Sequence, residues 1–159
     1  AALARRRHVG ITVHACDLNP EAVRIARRNV ARSGSDVDVF VADALDPPGS
    51  EQFDVVYCTL FAHHLDPPEV VRLLTGMAAR ARRLVLVDDL IRSRLGYFLA
   101  WMGTRLLSRS WVVHHDGPLS VQAAFTPGEI LQLASQAGLN APVLEQTWPE
   151  RYLLSWRPR

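Results

Sequence analysis

Residues 10–34 read GITVHACDLNPEAVRIARRNVARSG and pass from an apolar run into a helical pattern. The apolar run ends at Asp17. Asn19 and Pro20 then suit a helix cap and a first helical position. Apolar residues repeat at helical spacing up to Gly34, a residue that often ends helices. A strand that leads directly into a capped helix predicts a parallel α/β fold.

The same alternation continues along the chain and predicts a mostly parallel sheet. Further strands are expected at residues 37–41, 53–58, 84–87, 143–146 and 152–156, with helices at about 66–81 and 126–138. The run at 53–58 is apolar enough for a strand covered on both faces. Asp116-Gly117-Pro118 is expected to break the helical pattern that follows residue 90.

Composition restricts the class of protein. The 159 residues are enough for one domain, and the net charge is +2. All 18 basic residues are arginine and only Arg5–Arg7 form a dense run, so nucleic acid is not an expected partner. Cys16 and Cys58 are expected to be small buried thiols in a reducing cytosol, and the expected location is the cytoplasm. The sequence shows neither a signal peptide nor an apolar run long enough to span a membrane.

Polar residues follow three predicted strands, where open α/β sheets bind ligands. These residues are Asp17, Asp43 and Thr59. A carboxylate at a strand end can accept hydrogen bonds from ribose hydroxyls, and a second one can reach an adenine amino group. Two such acids would repel a nearby phosphate. The pattern therefore favours an adenosine ligand that carries no phosphate.

Four segments in order resemble class I S-adenosylmethionine-dependent methyltransferases. They are Cys16 to Asn29, Val41-Ala42-Asp43-Ala44, Phe53 to Leu65 with its Phe61-Ala62-His63-His64-Leu65 stretch, and the tail from Thr126 to Arg151. The resemblance implies a Rossmann-like sheet, mostly parallel with an antiparallel C-terminal strand, in one partial methyltransferase domain over residues 1–159.

The resemblance also implies S-adenosylmethionine as cofactor and assigns its binding residues. Asp17 would hold the ribose hydroxyls, and Leu18 would pack near the adenine. Asp43 would face the adenine amino group, while Ala44 would supply a backbone N–H. Thr59 and Leu60 would lie near the methionine part.

Two departures from the family pattern stand out. The glycine-rich first motif and its strand are absent, and Ala1–Arg7 resemble the end of the helix that follows them, so we expect an N-terminally truncated domain with weakened folding and cofactor binding. Ala81-Arg82-Arg83 replaces the usual Pro-Gly-Gly before the fourth visible strand. This replacement points away from the commonest quinone-methylating branch.

Methyl transfer to a phenol or carbon acid needs a base, and histidine suits that role. Among the histidine pairs at 63–64 and 114–115, His64 is the first choice and His115 the second. Asp88 is expected to orient a base or hold a substrate hydroxyl. No metal site is expected, because neither pair has a clear third ligand.

The segment at about 90–120 lies where the family often builds a helical lid over the acceptor. Its apolar residues predict a small hydrophobic or aromatic acceptor and O- or C-methylation, although the same stripe also suits ordinary core. Trp101, Trp111 and Arg105 leave open a membrane-surface contact or a dimer face. A homodimer is therefore an alternative to a monomer, whereas stable membrane insertion is not expected.

Other functions stay open at this point. A nicotinamide-dependent oxidoreductase would use Asp17 but not Asp43, and the absence of lysine excludes a Tyr-x-x-x-Lys pair. A non-catalytic methyltransferase-like module is favoured if the native chain begins at Ala1. An RNA methyltransferase is disfavoured because no Asn-Pro-Pro-Tyr or Asp-Pro-Pro-Tyr sequence ends the strand at Cys58.

Overall fold

A computed structural model of the chain describes residues 10–158. These residues form two compact units that divide after Gly49. The helical end expected at Ala1–Arg7 lies outside the described residues. The α/β fold class is confirmed.

The first unit is a strand–helix–strand arrangement. It contains β1 (Val13–Asp17), α1 (Pro20–Ser33) and β2 (Val37–Val41). β1 and β2 pair in parallel, with Asp17 opposite Val41 at their carboxyl ends. The predicted helix signals are confirmed: the Asn19 side chain accepts a hydrogen bond from the Glu21 N–H at 2.9 Å. Gly34 ends α1 in the left-handed region at φ 57°.

The second unit is a mixed sheet with helices. Its strands are β3 (Phe53–Thr59), β4 (Ala81–Leu90), β5 (Val143–Thr147) and β6 (Arg151–Trp156). Its helices are α2 (Pro67–Arg80), α3 (Arg94–Leu107), α4 (Trp111–Ala123) and α5 (Pro127–Gln136), with a 3₁₀ turn at Ala62–His64. The strand order is β3-β4-β6-β5. β3 and β4 are parallel, whereas β6 is antiparallel to both neighbours.

The core of the second unit lies on one face of this sheet, where α2 and α5 contact each other and α2 also contacts β3 and β4. Val85 and Val87 of β4 are fully buried there, as are Leu74 of α2 and Ile130 of α5. The expectation that β3 is covered on both faces is wrong for the described residues. Val55 and Tyr57 point the other way, because side chains alternate along a strand, and they are 48% and 54% exposed.

Reciprocal capping contacts begin both core helices. The Asp66 N–H donates to Glu69 Oε2 at 2.9 Å before α2. The Thr126 N–H donates to Glu129 Oε2 at 2.8 Å before α5. These reciprocal contacts stabilise helix starts because the first helical N–H groups have no partner within the helix.

The predicted break at Asp116-Gly117-Pro118 is wrong, since α4 continues through it. Gly117 serves close packing instead. A Cβ on Gly117 would lie 2.6 Å from Cγ2 of Thr104 in α3, so only glycine fits where the two helices meet. The helix tolerates Pro118, which is buried, at the cost of one backbone hydrogen bond.

Within residues 10–158, four strands have a neighbour on one side only: β1 and β2 in the first unit, and β3 and β5 in the second. Cys16 of β1 is exposed and Cys58 of β3 is half-buried. The expectation of two buried thiols is therefore wrong.

Within residues 10–158, none of the helices combines the length and the apolar composition needed to cross a membrane.

Tyr152 offers a test of core energetics. Its side chain is fully buried, and its hydroxyl has no hydrogen-bond partner among the described residues. A buried hydroxyl without a partner costs about 1–3 kcal/mol. We therefore expect Tyr152→Phe to leave the free energy of unfolding unchanged or to raise it by up to about 1 kcal/mol.

Urea unfolding of wild type and Tyr152→Phe measures this effect, with Tyr97→Phe, at a 38% exposed position, as the matched control. A loss of stability in Tyr152→Phe beyond the control would contradict the expectation and reveal a buried water that bonds the hydroxyl.

Candidate active site

The first unit brings two predicted ligand-binding carboxylates to one edge of its sheet. Asp17 is the last residue of β1, and its carbonyl accepts a hydrogen bond from the Ala42 N–H at 3.1 Å. Asp43 follows directly after Ala42. Both side chains are exposed and lie at the carboxyl ends of adjacent parallel strands. This is the arrangement on which the adenosine hypothesis depends.

Each carboxylate uses one oxygen to fix its own turn. Asp17 Oδ1 accepts from the Asn19 N–H and Asp43 Oδ1 from the Leu45 N–H, both at 2.8 Å. The turns hold the side chains in place and leave Oδ2 of each carboxylate able to accept from a ligand. Leu18, between the first acid and its turn partner, is 69% exposed. Ala44 is half-buried beside Asp43. These groups fit an adenosine, because the two carboxylates can accept hydrogen bonds from hydroxyl and amino groups and Leu18 offers an apolar surface beside them.

The second unit has its own polar cluster at the end of β3. Arg151 of β6 donates to both carboxylate oxygens of Asp88, at 3.0 Å from Nε and 2.8 Å from an Nη atom. The same guanidinium lies 3.3 Å from Thr59 Oγ1. The structure therefore pairs Asp88 with an arginine rather than with a histidine. A bidentate pair of this kind fixes the orientation of all three side chains.

The backbone turns sharply just after Thr59. Leu60 is in the left-handed region at φ 49°, and its N–H donates to the Asp88 carbonyl at 2.9 Å. A residue with a side chain in this region costs about 1–3 kcal/mol, which surrounding contacts must offset. Leu60 is 43% exposed and Thr59 is exposed, so both predicted cofactor residues are accessible.

The histidine pair at 63–64 divides into one buried and one exposed ring. His63 is 7% exposed and its Nδ1–H donates to Asp89 Oδ1 at 2.6 Å. His64, the first-choice base, is exposed, with its ring centroid 4.0 Å from that of His63. The carboxylate partner therefore belongs to His63 and not to His64, the residue predicted to be the base.

Asp89 is 1% exposed and stays ionised through its hydrogen bonds. Burial alone would raise the pKa of Asp89. The hydrogen bonds from the His63 ring and from the Leu90 N–H outweigh burial and hold that pKa below its usual value of 3.8. The neighbouring Cys58 thiol shows the opposite effect, because burial and the negative charges of Asp89 and Asp88 raise its pKa to about 12.

The lowered pKa of Asp89 predicts a pH dependence of stability. An acid whose pKa is lower in the folded state stabilises the fold fully above its unfolded pKa, and this stabilisation is lost as pH falls through the folded pKa. We expect the contribution of Asp89 to be constant from pH 7 down to about 5 and to disappear below pH 3.8.

NMR titration of the Asp89 side-chain carboxyl carbon measures this directly. An Asp89 midpoint at or above the usual value of 3.8 would contradict the expectation.

A cavity of about 170 Å³ lies between α3 and α4. Its walls are formed by Tyr97, Trp101, Arg105, His114, His115, Pro118, Leu119 and Gln122. An apolar cavity of about 150 Å³ is enough to hold benzene, so this one has room for about one aromatic ring.

His115, the second-choice base, lies in this wall and is exposed. Its ring stacks on Trp111 with centroids 5.7 Å apart. His114 is held instead by a 2.7 Å hydrogen bond from Nε2–H to the Ser108 carbonyl. Arg105 lies over the Trp101 ring at 4.4 Å. The cavity wall thus presents a cation, two imidazoles and aromatic rings.

A family model described as "Methyltransferase domain" matches residues 1–83. The chain belongs to the class I S-adenosylmethionine-dependent methyltransferase family. The resemblance, the fold class and the cofactor, S-adenosylmethionine, are thereby confirmed. Roles of individual site residues stay predictions.

Two curated relatives share moderate identity with this family member. The ubiquinone biosynthesis O-methyltransferase of Thiobacillus denitrificans is 30% identical over 142 residues, covering 86% of this chain and 58% of the relative. The protein of the same name from Xanthomonas euvesicatoria is 30% identical over 158 residues, covering 94% and 64%. The chain thus spans about three fifths of the length of these relatives. Both relatives are named for ubiquinone biosynthesis, and the meaning of the Ala81-Arg82-Arg83 departure for the branch of the family stays a prediction.

Solved methyltransferase structures share the fold. The structure of PigF with SAH aligns with a TM-score of 0.70 at 15% identity, over 99% of this chain and 46% of that one. Magnesium protoporphyrin IX methyltransferase from Synechocystis with bound SAH aligns with a TM-score of 0.67 at 14% identity, over 99% and 68%. At these identities the likeness supports the fold alone.

Sequence reasoning missed two groups of residues. One is the buried pair of His63 and Asp89, and the other is the contact of Arg151 with Asp88 and Thr59. A signal for Asp89 was available, since alternation along the strand puts it on the same face as Val85 and Val87. Nothing in the sequence pattern indicated that Arg151 faces Asp88, because the two are 63 residues apart.

Proposed function

We propose that this protein transfers a methyl group from S-adenosylmethionine to a small hydrophobic or aromatic acceptor, by O- or C-methylation. The observation that carries the proposal is the pair of exposed carboxylates, Asp17 and Asp43, at the carboxyl ends of adjacent parallel strands. A nicotinamide enzyme has no evident use for the second acid. The name of the curated relatives, ubiquinone biosynthesis O-methyltransferase, supports methylation on oxygen.

The residues of the first unit are proposed to recognise the adenosine. Asp17 accepts from the ribose hydroxyls through the oxygen that its turn does not use, and Asp43 accepts from the adenine amino group. Leu18 packs against the adenine, and Ala44 donates its backbone N–H. The fixed Asx turns reduce the entropy lost on binding, because the carboxylates are already oriented.

The second unit is proposed to hold the reacting groups. Thr59 and Leu60 are assigned to the methionine part of the cofactor. When bound, S-adenosylmethionine would supply the methyl carbon of its sulfonium group: the acceptor atom would bond to that carbon as the carbon–sulfur bond breaks, and S-adenosylhomocysteine would leave. The protein's contribution is then mainly orientation of the two reactants.

The acceptor is proposed to enter beside α3 and α4, the helices of the predicted lid. The cavity there takes one aromatic ring, and His115 in its wall is exposed. His64 is the proposed proton acceptor for the hydroxyl or carbon acid, with His115 as the alternative. Histidine is the side chain that most often serves as a general base in enzymes.

Location and assembly follow from the same proposal. We infer a cytoplasmic enzyme that acts on a small molecule and not on nucleic acid, and that is monomeric or forms a homodimer through the exposed apolar side chains of α3 and α4. Leu107 and Trp111 are the most exposed of these, at 90% and 76%.

Calorimetric titration tests the cofactor assignment. S-adenosylhomocysteine, the product form of the cofactor, is expected to bind, and NADH is not. Transfer of radiolabelled methyl groups to a panel of alkylated phenols and of 1,3-dicarbonyl carbon acids then tests the reaction. Binding of NADH in preference to S-adenosylhomocysteine would overturn the proposal. Binding without transfer to either acceptor class would favour a non-catalytic module.

A further inference from the structure

One buried carboxylate in the second unit accepts several hydrogen bonds, although the proposed reaction assigns it no role. Asp89 accepts four N–H donors at once. Its Oδ1 accepts from the His63 ring at 2.6 Å and from its own neighbour Leu90 at 2.7 Å. Its Oδ2 accepts from the backbone of Phe61 at 3.1 Å and of His63 at 3.3 Å.

Three of these donors belong to one short segment, residues 59–64, which we term the anchored turn. The fourth belongs to β4, the strand that carries Asp89. The carboxylate therefore ties the segment after β3 to the next strand of the sheet. The anchored turn contains Thr59 and Leu60, proposed to contact the cofactor, and His64, the proposed base.

The anchored turn needs such a tie because its backbone is in an unfavourable conformation. Leu60 has a positive φ of 49°. This conformation is easy for glycine but unfavourable for a residue that carries a Cβ atom. Such conformations persist where the surroundings over-determine them, and they occur often at functional sites. The Asp89 contacts begin at the very next residue, Phe61.

We propose that Asp89 and His63 are a positioning pair that holds the anchored turn in the shape required for cofactor binding. His63 acts as a donor that orients Asp89, and it does not itself accept the acceptor's proton. Its 5% side-chain exposure agrees with this, since a base must reach its substrate. The inference rests on the proposed function for the role of Thr59 and Leu60, but the hydrogen-bond geometry stands apart from it.

Because all four groups around Asp89 are hydrogen-bond donors, a few substitutions can test the pair. Asparagine at position 89 has one acceptor oxygen and one NH₂ group, so either orientation turns a donor toward backbone N–H donors. His63→Ala removes one donor. His63→Asn is the matched conservative variant, because the asparagine NH₂ occupies nearly the place of Nδ1–H and can still donate to Asp89. Exposed Asp54→Asn on β3 is the control for loss of a carboxylate.

Two measurements test the pair on the protein: hydrogen exchange of the amides at Phe61 and His63, and the Kd for S-adenosylhomocysteine. We expect Asp89→Asn and His63→Ala to speed exchange and to weaken binding by about tenfold or more, the scale of one lost bond to a charged group. His63→Asn and Asp54→Asn are expected to stay within about threefold of wild type in both.

The outcomes separate the inference from the function it rests on. Wild-type exchange and affinity in Asp89→Asn would overturn the positioning role while the methyltransferase proposal stands. Normal affinity with a collapsed kcat in His63→Asn would make His63 the base and also overturn it. If wild type fails to bind S-adenosylhomocysteine, the proposed function fails, and exchange alone still decides the pair.

Should Asp89→Asn and His63→Ala fail to fold, nitrogen-15 NMR of the wild type decides instead. A slowly exchanging proton on His63 Nδ1 with protected amides at Phe61 and His63 supports the pair. Rapid exchange at these three positions overturns it.

Discussion

Asp17→Ala is expected to weaken S-adenosylhomocysteine binding by about 1.5–3 kcal/mol, or about 10–150-fold, because hydrogen bonds to a charged group have this scale. The carboxylate ends β1 beside an exposed apolar side chain, and the oxygen that its turn does not use is the proposed acceptor for the ribose hydroxyls. Equilibrium calorimetry measures the change in affinity.

Two companion variants make this result interpretable. Asp17→Asn keeps an oxygen for the Asn19 N–H and loses only the charge, so its affinity should lie between wild type and alanine. Asp36→Ala removes an exposed acid just before β2, at the amino end of the strand pair, and should change nothing. Unchanged affinity in Asp17→Ala would remove this residue from the site.

Leu74→Ala should lower the free energy of unfolding by about 2–5 kcal/mol, through lost transfer energy and the cavity left behind. Leu74 of α2 is fully buried on the covered face of the second sheet. This loss is a large part of the 5–15 kcal/mol that stabilises an ordinary domain. Urea unfolding followed by far-ultraviolet circular dichroism measures it.

Leu107→Ala is the matched control, since Leu107 in the last turn of α3 is 90% exposed. The same chemical change there should alter stability by less than about 0.5 kcal/mol. Equal effects at the two positions would contradict the assignment of the core to the α2–α5 face.

The fold was largely predictable because its strongest signals are local. Alternating apolar runs located the six strands found within residues 10–158, and the predicted cap at Asn19 is present. Errors arose where tertiary packing overrides local preference. Gly117 and Pro118 suggest a break in sequence, but the close approach of Thr104 makes glycine useful inside a continuous helix.

The site was only partly predictable, for a related reason. Asp17 and Asp43 follow strands directly, so their common edge could be inferred from the parallel connection alone. The His63–Asp89 and Arg151–Asp88 contacts join residues 26 and 63 positions apart, and no local pattern specifies which of two adjacent acids meets which partner. Only the register of β3, β4 and β6 decides that.

The wall of the α3–α4 cavity also contains a natural optical probe. Trp101 lies in that wall and is 42% exposed, so an aromatic guest would replace water beside its indole. Trp111 and Trp148 are 76% and 80% exposed, so they would add the fluorescence of solvent-exposed tryptophan as a background. Replacing these two by phenylalanine would leave only Trp101 and Trp156 to emit. Trp156 does not line the cavity, so a change in fluorescence on adding a candidate acceptor would report on Trp101 without any label.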